Sequence, residues 1–200
     1  MKRGTLSGAG IIGLLAGTLA GTGAIAQMRG AIPANVHAQE RAVAEPPVQK
    51  PLESPAQVAS VTLEGQTVQV MYNSPSMRGR DIYGGLVPYG KVWRTGANPA
   101  TTLVTPVSLH IGNLLVPAGT YTMYTLPEKD HWMLIINKHT KQWGTEYYPA
   151  EDLGRVKMDQ DGIDTPQEMM SISFDHVEKD SAKMHIRWAK TDESVKISTP

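Results

Sequence analysis

Three arginines stand within one stretch, residues 74–102, that is rich in glycine and proline. Each arginine carries a permanently charged planar fork, which suits a carboxylate or a phosphate group. Hydroxyl, amide and aromatic side chains accompany them in this stretch, and a further tryptophan lies in a later loop. These residue types predict a pocket for a small anionic or polyhydroxylated molecule, such as a metabolite or a glycan. The candidate ligand-binding residues are Arg78, Arg80, Tyr89, Trp93, Arg94, Asn98, Thr102 and Trp143.

A second interpretation of the arginines is structural. A long irregular segment contains backbone carbonyl groups that need hydrogen-bond donors wherever they are buried. The guanidinium groups could bind those carbonyls, and acids such as Asp81, without contacting any ligand. The aromatic residues present the same choice, because Trp and Tyr occur in β-sandwich cores as well as in sugar-binding platforms. We expect Trp132 and Trp188, which lie in predicted strands, to belong to the core.

The motifs of several common enzyme classes are absent from the sequence. There is no G-x-S-x-G motif, no H-E-x-x-H motif and no glycine-rich phosphate loop between a strand and a helix. The six histidines form no H-x-H or H-x-x-x-H pair, although His110, His131 and His185 could still meet in the fold. We therefore predict no metal ion and no cofactor. The sequence names no catalytic residue, and it favours a binding protein over an enzyme.

The composition argues against nucleic acid as a partner. The 200 residues contain 19 Lys and Arg and 19 Asp and Glu, so the formal net charge is zero. A protein that binds nucleic acid normally shows a basic excess or a basic stripe. Cysteine is absent, so disulfides cannot stabilise the fold and a hydrophobic core must do so.

The N-terminal segment, residues 1–26, has the pattern of a signal peptide. Lys2 and Arg3 precede a short apolar run that starts at Ile11, and Ala24-Ile25-Ala26 is an A-x-A site, which predicts cleavage before Gln27. A membrane anchor is the alternative, but the run is shorter than the roughly 20 residues that span a bilayer. We predict an exported protein, periplasmic or secreted, without a membrane span after cleavage. Residues 27–56, rich in Pro and Ala, are predicted to be a disordered linker.

From residue 57 onward the pattern is that of short strands separated by turns. In 67–72, for example, Val68, Val70 and Tyr72 alternate with polar residues, as in a strand with one buried face. Residues 159–162 are predicted to be a turn, because three polar residues precede a glycine there. About nine such strands and no convincing amphipathic helix predict an all-β domain over 57–200. The expected architecture is an antiparallel β-sandwich, jelly-roll-like or immunoglobulin-like.

A series of motifs lies in a fixed order along this domain. They are Ser74-Pro75-Ser76, Gly79-Arg80, Ile82, Gly84, Leu86-Val87-Pro88-Tyr89-Gly90, Val92-Trp93-Arg94-Thr95-Gly96-Ala97-Asn98, Thr101-Thr102, Val116-Pro117-Ala118-Gly119-Thr120-Tyr121, Ile136-Asn137-Lys138 and Trp143-Gly144. In these motifs the chain resembles, over about residues 60–197, the exported bacterial family known only as domain of unknown function twenty-nine eleven. That resemblance implies an exported β-rich domain and names no activity and no catalytic residue. One departure is Pro99, where the family often has an acidic residue.

Three functions are compatible with this sequence. The first is the binding of a small ligand through the stretch 74–102. The second is hydrolysis of an envelope polymer or ester by residues that meet only in the fold. The third is a structural or partner-binding module, which would expose a flat apolar patch in place of a pocket.

Overall fold

The computed structural model describes residues 53–200 of the chain. The predicted signal peptide, 1–26, and the predicted linker as far as residue 52 lie outside the described residues and stay predictions. Within 53–200, no helix is long and apolar enough to cross a membrane.

The described residues form nine strands and one short 3₁₀ helix, Pro149–Glu151. Every strand pair is antiparallel, and the strands make one sheet in the order β1-β2-β3-β6-β7-β8-β9-β4-β5. The all-β antiparallel class predicted from the sequence is confirmed, whereas its jelly-roll-like or immunoglobulin-like arrangement stays a prediction. The strands are β1 Ala56–Leu63, β2 Gln66–Asn73, β3 Thr101–Thr105, β4 Leu109–Ile111, β5 Leu114–Val116, β6 Gly119–Pro127, β7 Trp132–Asn137, β8 Asp152–Asp175 and β9 Ser181–Ser198.

The first hairpin follows directly from its sequence. β1 and β2 are joined by Glu64 and Gly65, whose φ angles of 48° and 73° suit the tight turn that matches the twist of paired strands. In β2, Val68, Val70 and Tyr72 are buried while the residues between them are exposed, as the alternation predicts. This hairpin leads the chain into the stretch 74–102.

The prediction of a turn at residues 159–162 is wrong. These residues continue β8 and pair with residues 191–194 of β9. Their side chains are exposed, so the polar residues that suggested a turn occupy solvent-facing positions of a strand. The irregularity lies further on, between 162 and 171, where the register of the two strands shifts.

The residues of β9 that face the core change phase at Ala189, which pairs with Gln167 between the two register shifts of β8. Before Ala189 the buried apolar residues are even-numbered, as at Ile186 and Trp188, and after it they are odd-numbered, as at Val195 and Ile197. Ala189 itself has a left-handed φ of 53°, which produces this change of phase.

The start of the stretch 74–102 is bonded along β8. The Ser74 hydroxyl donates to the carbonyl of Met170 at 2.5 Å, and the Met170 N–H donates to the carbonyl of Pro75 at 2.9 Å. The Met77 N–H donates to the carbonyl of Glu168 at 2.8 Å. These bonds join the residues that follow β2 to a strand that lies far along the chain, and they hold one end of the stretch in place.

Four aromatic side chains, two of them from the same stretch, pack together, and we call Tyr83, Trp93, Trp132 and Trp188 the aromatic cluster. Trp132 and Trp188 are almost fully buried, which confirms their predicted place in the core. The Tyr83 ring meets Trp132 edge-on at a centroid distance of 4.8 Å, a favourable geometry for aromatic pairs. The cluster therefore provides a rigid base for the loop above it.

Candidate functional site

A cavity of about 290 Å³ lies between the stretch 74–102, the residues that precede β1, and β9. Five of the eight predicted ligand-binding residues line it, and the chain brings them together from several turns of the loop. Glu53, at the N-terminal end of the described residues, and Trp188, on β9, complete its walls. The five predicted lining residues are Arg78, Arg80, Trp93, Arg94 and Asn98.

Arg78 is held by a carboxylate at the mouth of the cavity. Its Nη1 lies 3.2 Å from Oε1 of Glu53, and its Nη2 donates to the Glu53 carbonyl at 3.1 Å. Its backbone N–H donates to Oε1 of Glu168 at 2.8 Å, which supports the left-handed φ of 51° at this residue. Both side chains of the ion pair are largely exposed, so the pair adds little stability and mainly orients Arg78.

Arg80 binds the backbone of its own loop. Its Nε donates to the carbonyl of Met77 at 2.9 Å, and its Nη2 donates to the carbonyl of Ser76 at 2.7 Å. These are the contacts that the structural interpretation of the arginines predicts. Arg80 therefore stabilises the loop while its charge still contributes to the cavity.

Arg94 differs from the other two arginines. Its Nε donates to the Gly96 carbonyl at 3.2 Å, and its two terminal nitrogens donate to no atom of residues 53–200. The preceding residue, Trp93, is bonded to β6, because Trp93 and Thr125 exchange backbone hydrogen bonds of 2.7 and 2.9 Å. Arg94 therefore presents two available donor groups from a well-supported position.

The backbone that follows Arg94 is strained. Thr95 has a φ of 53° and Asn98 a φ of 59°, a region that β-branched residues such as threonine rarely adopt. Thr95 is fully buried, its carbonyl accepts a 2.9 Å bond from the Thr101 hydroxyl, and its own hydroxyl contacts that of Thr125 at 3.1 Å. Such strain persists only where the surroundings impose it, and it is concentrated at ligand sites in many proteins.

Two tryptophans form the apolar side of the cavity. The rings of Trp93 and Trp188 are stacked, with centroids 5.8 Å apart and planes 16° from parallel. The Trp188 indole N–H donates to the carbonyl of Glu168 at 3.0 Å, which fixes its ring. The sequence placed Trp188 in the core only, and its second role on the cavity wall depends on a long-range contact that no local pattern indicates.

The other three predicted residues lie outside this cavity. Tyr89 is exposed on the surface of the loop. The hydroxyl of Thr102, in β3, donates to the carbonyl of Ala100 at 3.2 Å. Trp143 is half exposed and forms an isolated β-bridge with Pro99.

A smaller cavity of about 160 Å³ shares a wall with the first. Trp93 and Arg94 line both cavities. The remaining walls of the smaller one come from the stretch 74–102, from β6 and from the loop that precedes the 3₁₀ helix. They are Val92, Tyr124, Gly144, Thr145 and Tyr147.

A buried carboxyl group lies in the core near the aromatic cluster. Glu193 is fully buried, and neither of its carboxylate oxygens has a hydrogen-bond partner within the described residues. Burial, followed by the charge of Asp192, raises the pKa of Glu193 to about 8. The Tyr83 hydroxyl is likewise buried without a partner there, and burial together with the Glu193 charge raises its pKa far above the usual range. Glu193 is therefore neutral at pH 7.

A network of charged groups joins β8 and β9 elsewhere on the molecule. His185 lies between two carboxylates, with Nδ1 at 2.8 Å from Asp192 and Nε2 at 2.8 Å from Asp175. The Arg187 Nε donates to Asp192 at 2.7 Å. Hydrogen bonding to His176 above all lowers the pKa of Asp175 to about 2. The groups satisfy one another, and within residues 53–200 no cluster of three or more His, Asp or Glu has the geometry to hold a metal ion.

Comparison with protein families gives one match. The sequence model of the family described as protein of unknown function (DUF2911) matches residues 54–197. The chain belongs to this family. The resemblance predicted from the loop motifs is thereby confirmed, and the matched range contains every residue that lines the two cavities except Glu53. No curated protein and no solved structure gives a significant match to the chain.

Proposed function

We propose that this protein binds a small anionic molecule, with the carboxylate or phosphate of the ligand on Arg94. The observation that carries the proposal is the pair of terminal Arg94 nitrogens that donate to no atom of the described residues while the side chain lines the larger cavity. A guanidinium fork binds both oxygens of such a group at once, which gives strength and orientation. Three arginines and a single carboxylate, Glu53, line the cavity, so its formal charge favours an anion.

The walls of the cavity also suit an apolar or planar part of the ligand. Trp93, Trp188, Leu86 and Val87 line the cavity together with the cationic groups. Its volume, about 290 Å³, is at the lower end of the roughly 300–1,000 Å³ that ligand pockets occupy. We infer a ligand of metabolite size that has one anionic end and one apolar face.

The composition of the walls supports binding over hydrolysis. No histidine is among the described residues that line the cavity, and its one carboxylate, Glu53, is paired with Arg78. A nucleophile such as Ser54 or Ser76 would therefore have no general base beside it. We propose a binding protein and not an envelope-associated hydrolase.

A titration with 4-nitrophenyl phosphate tests both parts of the proposal. Arg94→Gln should weaken binding at least about tenfold, equivalent to about 1.4 kcal/mol, without lowering the melting temperature of the free protein. Lys91→Gln is the matched control, because it removes one charge from an exposed position of the same loop outside both cavities. Equal binding by Arg94→Gln and the wild type would refute the site.

The same probe reports hydrolysis through the absorbance of released 4-nitrophenolate. We expect no release above the background rate. Release that depends on the protein and is lost in Arg94→Gln would overturn the binding proposal in favour of the hydrolase.

We also propose that the protein is exported. The support is the positive, apolar and A-x-A order of residues 1–26. N-terminal sequencing of the protein purified from cells should find Gln27 as the first residue. Retention of Met1 would contradict export by this signal.

A further inference from the structure

We propose that the anionic group of the ligand stands between two substituents, one in each cavity. This inference rests on the proposed function, because it assumes that Arg94 binds the anion. Its basis is the position of Arg94 and Trp93, which are the two residues that line both cavities. An anion on Arg94 therefore lies at the boundary between the larger space of about 290 Å³ and the smaller one of about 160 Å³.

The Arg94 side chain is held at this boundary by its neighbours. Its aliphatic part packs against Gly144, where even a Cβ atom would overlap the Arg94 side chain. Its Nε is bonded to the Gly96 carbonyl, which leaves the two terminal nitrogens as the adaptable end of the group. If the anion were at one end of the ligand, the rest of the ligand would fill only one of the two cavities next to Arg94.

The smaller cavity offers apolar and aromatic surface. The Tyr124 hydroxyl donates to the Glu146 carbonyl at 2.5 Å, and the Tyr147 hydroxyl donates to Asp152 at 2.7 Å. Both hydroxyls are thus occupied by protein groups, and what the two tyrosines present to a ligand is ring surface. Arg94 is the one charged residue among the described walls of this cavity. The substituent that enters it is therefore uncharged and apolar or planar.

The larger cavity takes a substituent with an apolar face that can also carry hydrogen-bonding groups. Asn98 and Ser76 add hydrogen-bonding groups to its cationic wall, while the smaller cavity has no counterpart to them apart from Thr145. A phosphodiester has this layout, and so does a carboxylate on a carbon atom that carries two groups. In both ligand classes a substituent stands on each side of the anion. The probes described next distinguish the phosphodiester from the carboxylate.

Two pairs of probes test the layout on the purified full chain. One pair is 4-nitrophenyl phosphate and bis(4-nitrophenyl) phosphate, and the other is phenylacetate and diphenylacetate. The second substituent should tighten binding about tenfold in at least one pair, since it buries a further ring. The phosphate pair is the sharper test, because the diester carries less negative charge than the monoester, so attraction to the arginines alone predicts the opposite order.

A change in the smaller cavity locates the effect. Thr145→Phe fills that space with a ring, and Thr145→Ser is the control that leaves it open. Thr145→Phe should abolish the difference in affinity between the two-substituent and the one-substituent probe, whereas Thr145→Ser should keep the wild-type difference. If Thr145→Phe fails to fold, the order of affinities in the wild-type protein still decides the question.

The outcomes separate this inference from the proposed function. If the one-substituent probes bind through Arg94 and a second substituent adds nothing in either pair, the flanked-anion layout is refuted and the binding site stands. If no probe binds, or if binding is indifferent to Arg94→Gln, both proposals fail. A tighter diester points to a phosphodiester ligand, and a tighter diphenylacetate points to a branched carboxylate.

Discussion

Gly144 lies against Arg94 so closely that no side chain fits between them. A Cβ atom at position 144 would fall 2.7 Å from the carbonyl oxygen of Asn98 and would overlap the Arg94 stem. The N–H of Gly144 donates to the same Asn98 carbonyl at 3.2 Å. A glycine about fifty residues away along the chain thus determines where the guanidinium group stands.

Replacement of this glycine should damage the site. We expect Gly144→Ala to displace Arg94, to weaken binding of 4-nitrophenyl phosphate at least about fivefold, and to cost about 1–3 kcal/mol of stability through overpacking. Gly162→Ala is the control, because the nearest atom to its Cβ, the carbonyl oxygen of Lys190, would lie at 3.9 Å. Calorimetric titration and urea denaturation of both variants check this, and wild-type behaviour of Gly144→Ala would contradict it.

Glu193 should make the stability of the protein depend on pH. Its pKa is about 8 in the folded state and near 4.5 when unfolded, so the folded state retains a proton that the unfolded state loses between these values. The wild-type free energy of unfolding should therefore fall as pH rises from 5 to 8.5, by on the order of 2–4 kcal/mol. In Glu193→Gln this fall should be largely absent.

The control for Glu193 is Asp164→Asn, which removes a charge from an exposed position of β8. Urea denaturation at pH 5 and pH 8.5 measures the difference for each protein. Asp164→Asn should keep the wild-type fall. A parallel fall in Glu193→Gln and the wild type would show that this carboxyl group is not the cause.

Asp175 should have the opposite effect on stability, which it should raise at neutral pH and no longer raise in acid. Hydrogen bonding to His176 first, and then to His185, lowers its pKa from 3.8 to about 2. Its contribution is therefore present above about pH 4 and is lost as pH falls toward 2. Because its side chain is more than one third exposed, we expect Asp175→Asn to cost only about 1 kcal/mol at pH 6. Denaturation at pH 6 and pH 2.5 checks this, and a cost that persists undiminished at pH 2.5 would argue against the charged form as its source.

Tyr72 should matter for the link between β2 and β8. The Ile172 N–H donates to the Tyr72 hydroxyl at 3.0 Å, in a buried position. Tyr72→Phe leaves that N–H without its partner, which should cost about 1–3 kcal/mol. Tyr89→Phe removes a hydroxyl from an exposed ring and should cost nothing measurable. Thermal denaturation compares the two variants. Equal melting temperatures would show that the Tyr72 bond does not stabilise the fold.

Local patterns in the sequence were sufficient to predict the first hairpin and many of the buried core residues. The alternation in β2 predicted which side chains are buried, because a single period of two governs a strand with one solvated face. The same logic located Trp132 and Trp188. It failed at residues 159–162, where β9 pairs with a polar segment and thereby keeps it extended.

The candidate site was predictable only in part. The arginines, Trp93 and Asn98 lie close together in the sequence, so the residue types alone indicated that this loop could bind a ligand. Which arginine keeps donors without a partner among residues 53–200 depends on carbonyls that only the folded loop presents, as the bonds of Arg80 show. Glu193 escaped prediction because the phase of β9 changes at Ala189, and alanine gives no local signal of a left-handed backbone.

The larger cavity also forms late in folding, because its wall includes the stacked rings of Trp93 and Trp188. Trp188 belongs to the last strand, and such distant contacts form late because a long loop must close first. A chain still being synthesised already contains every arginine of the loop before it has the tryptophan pair. Capture of an anion by this cavity would therefore report that the whole domain, through its final strand, has finished folding.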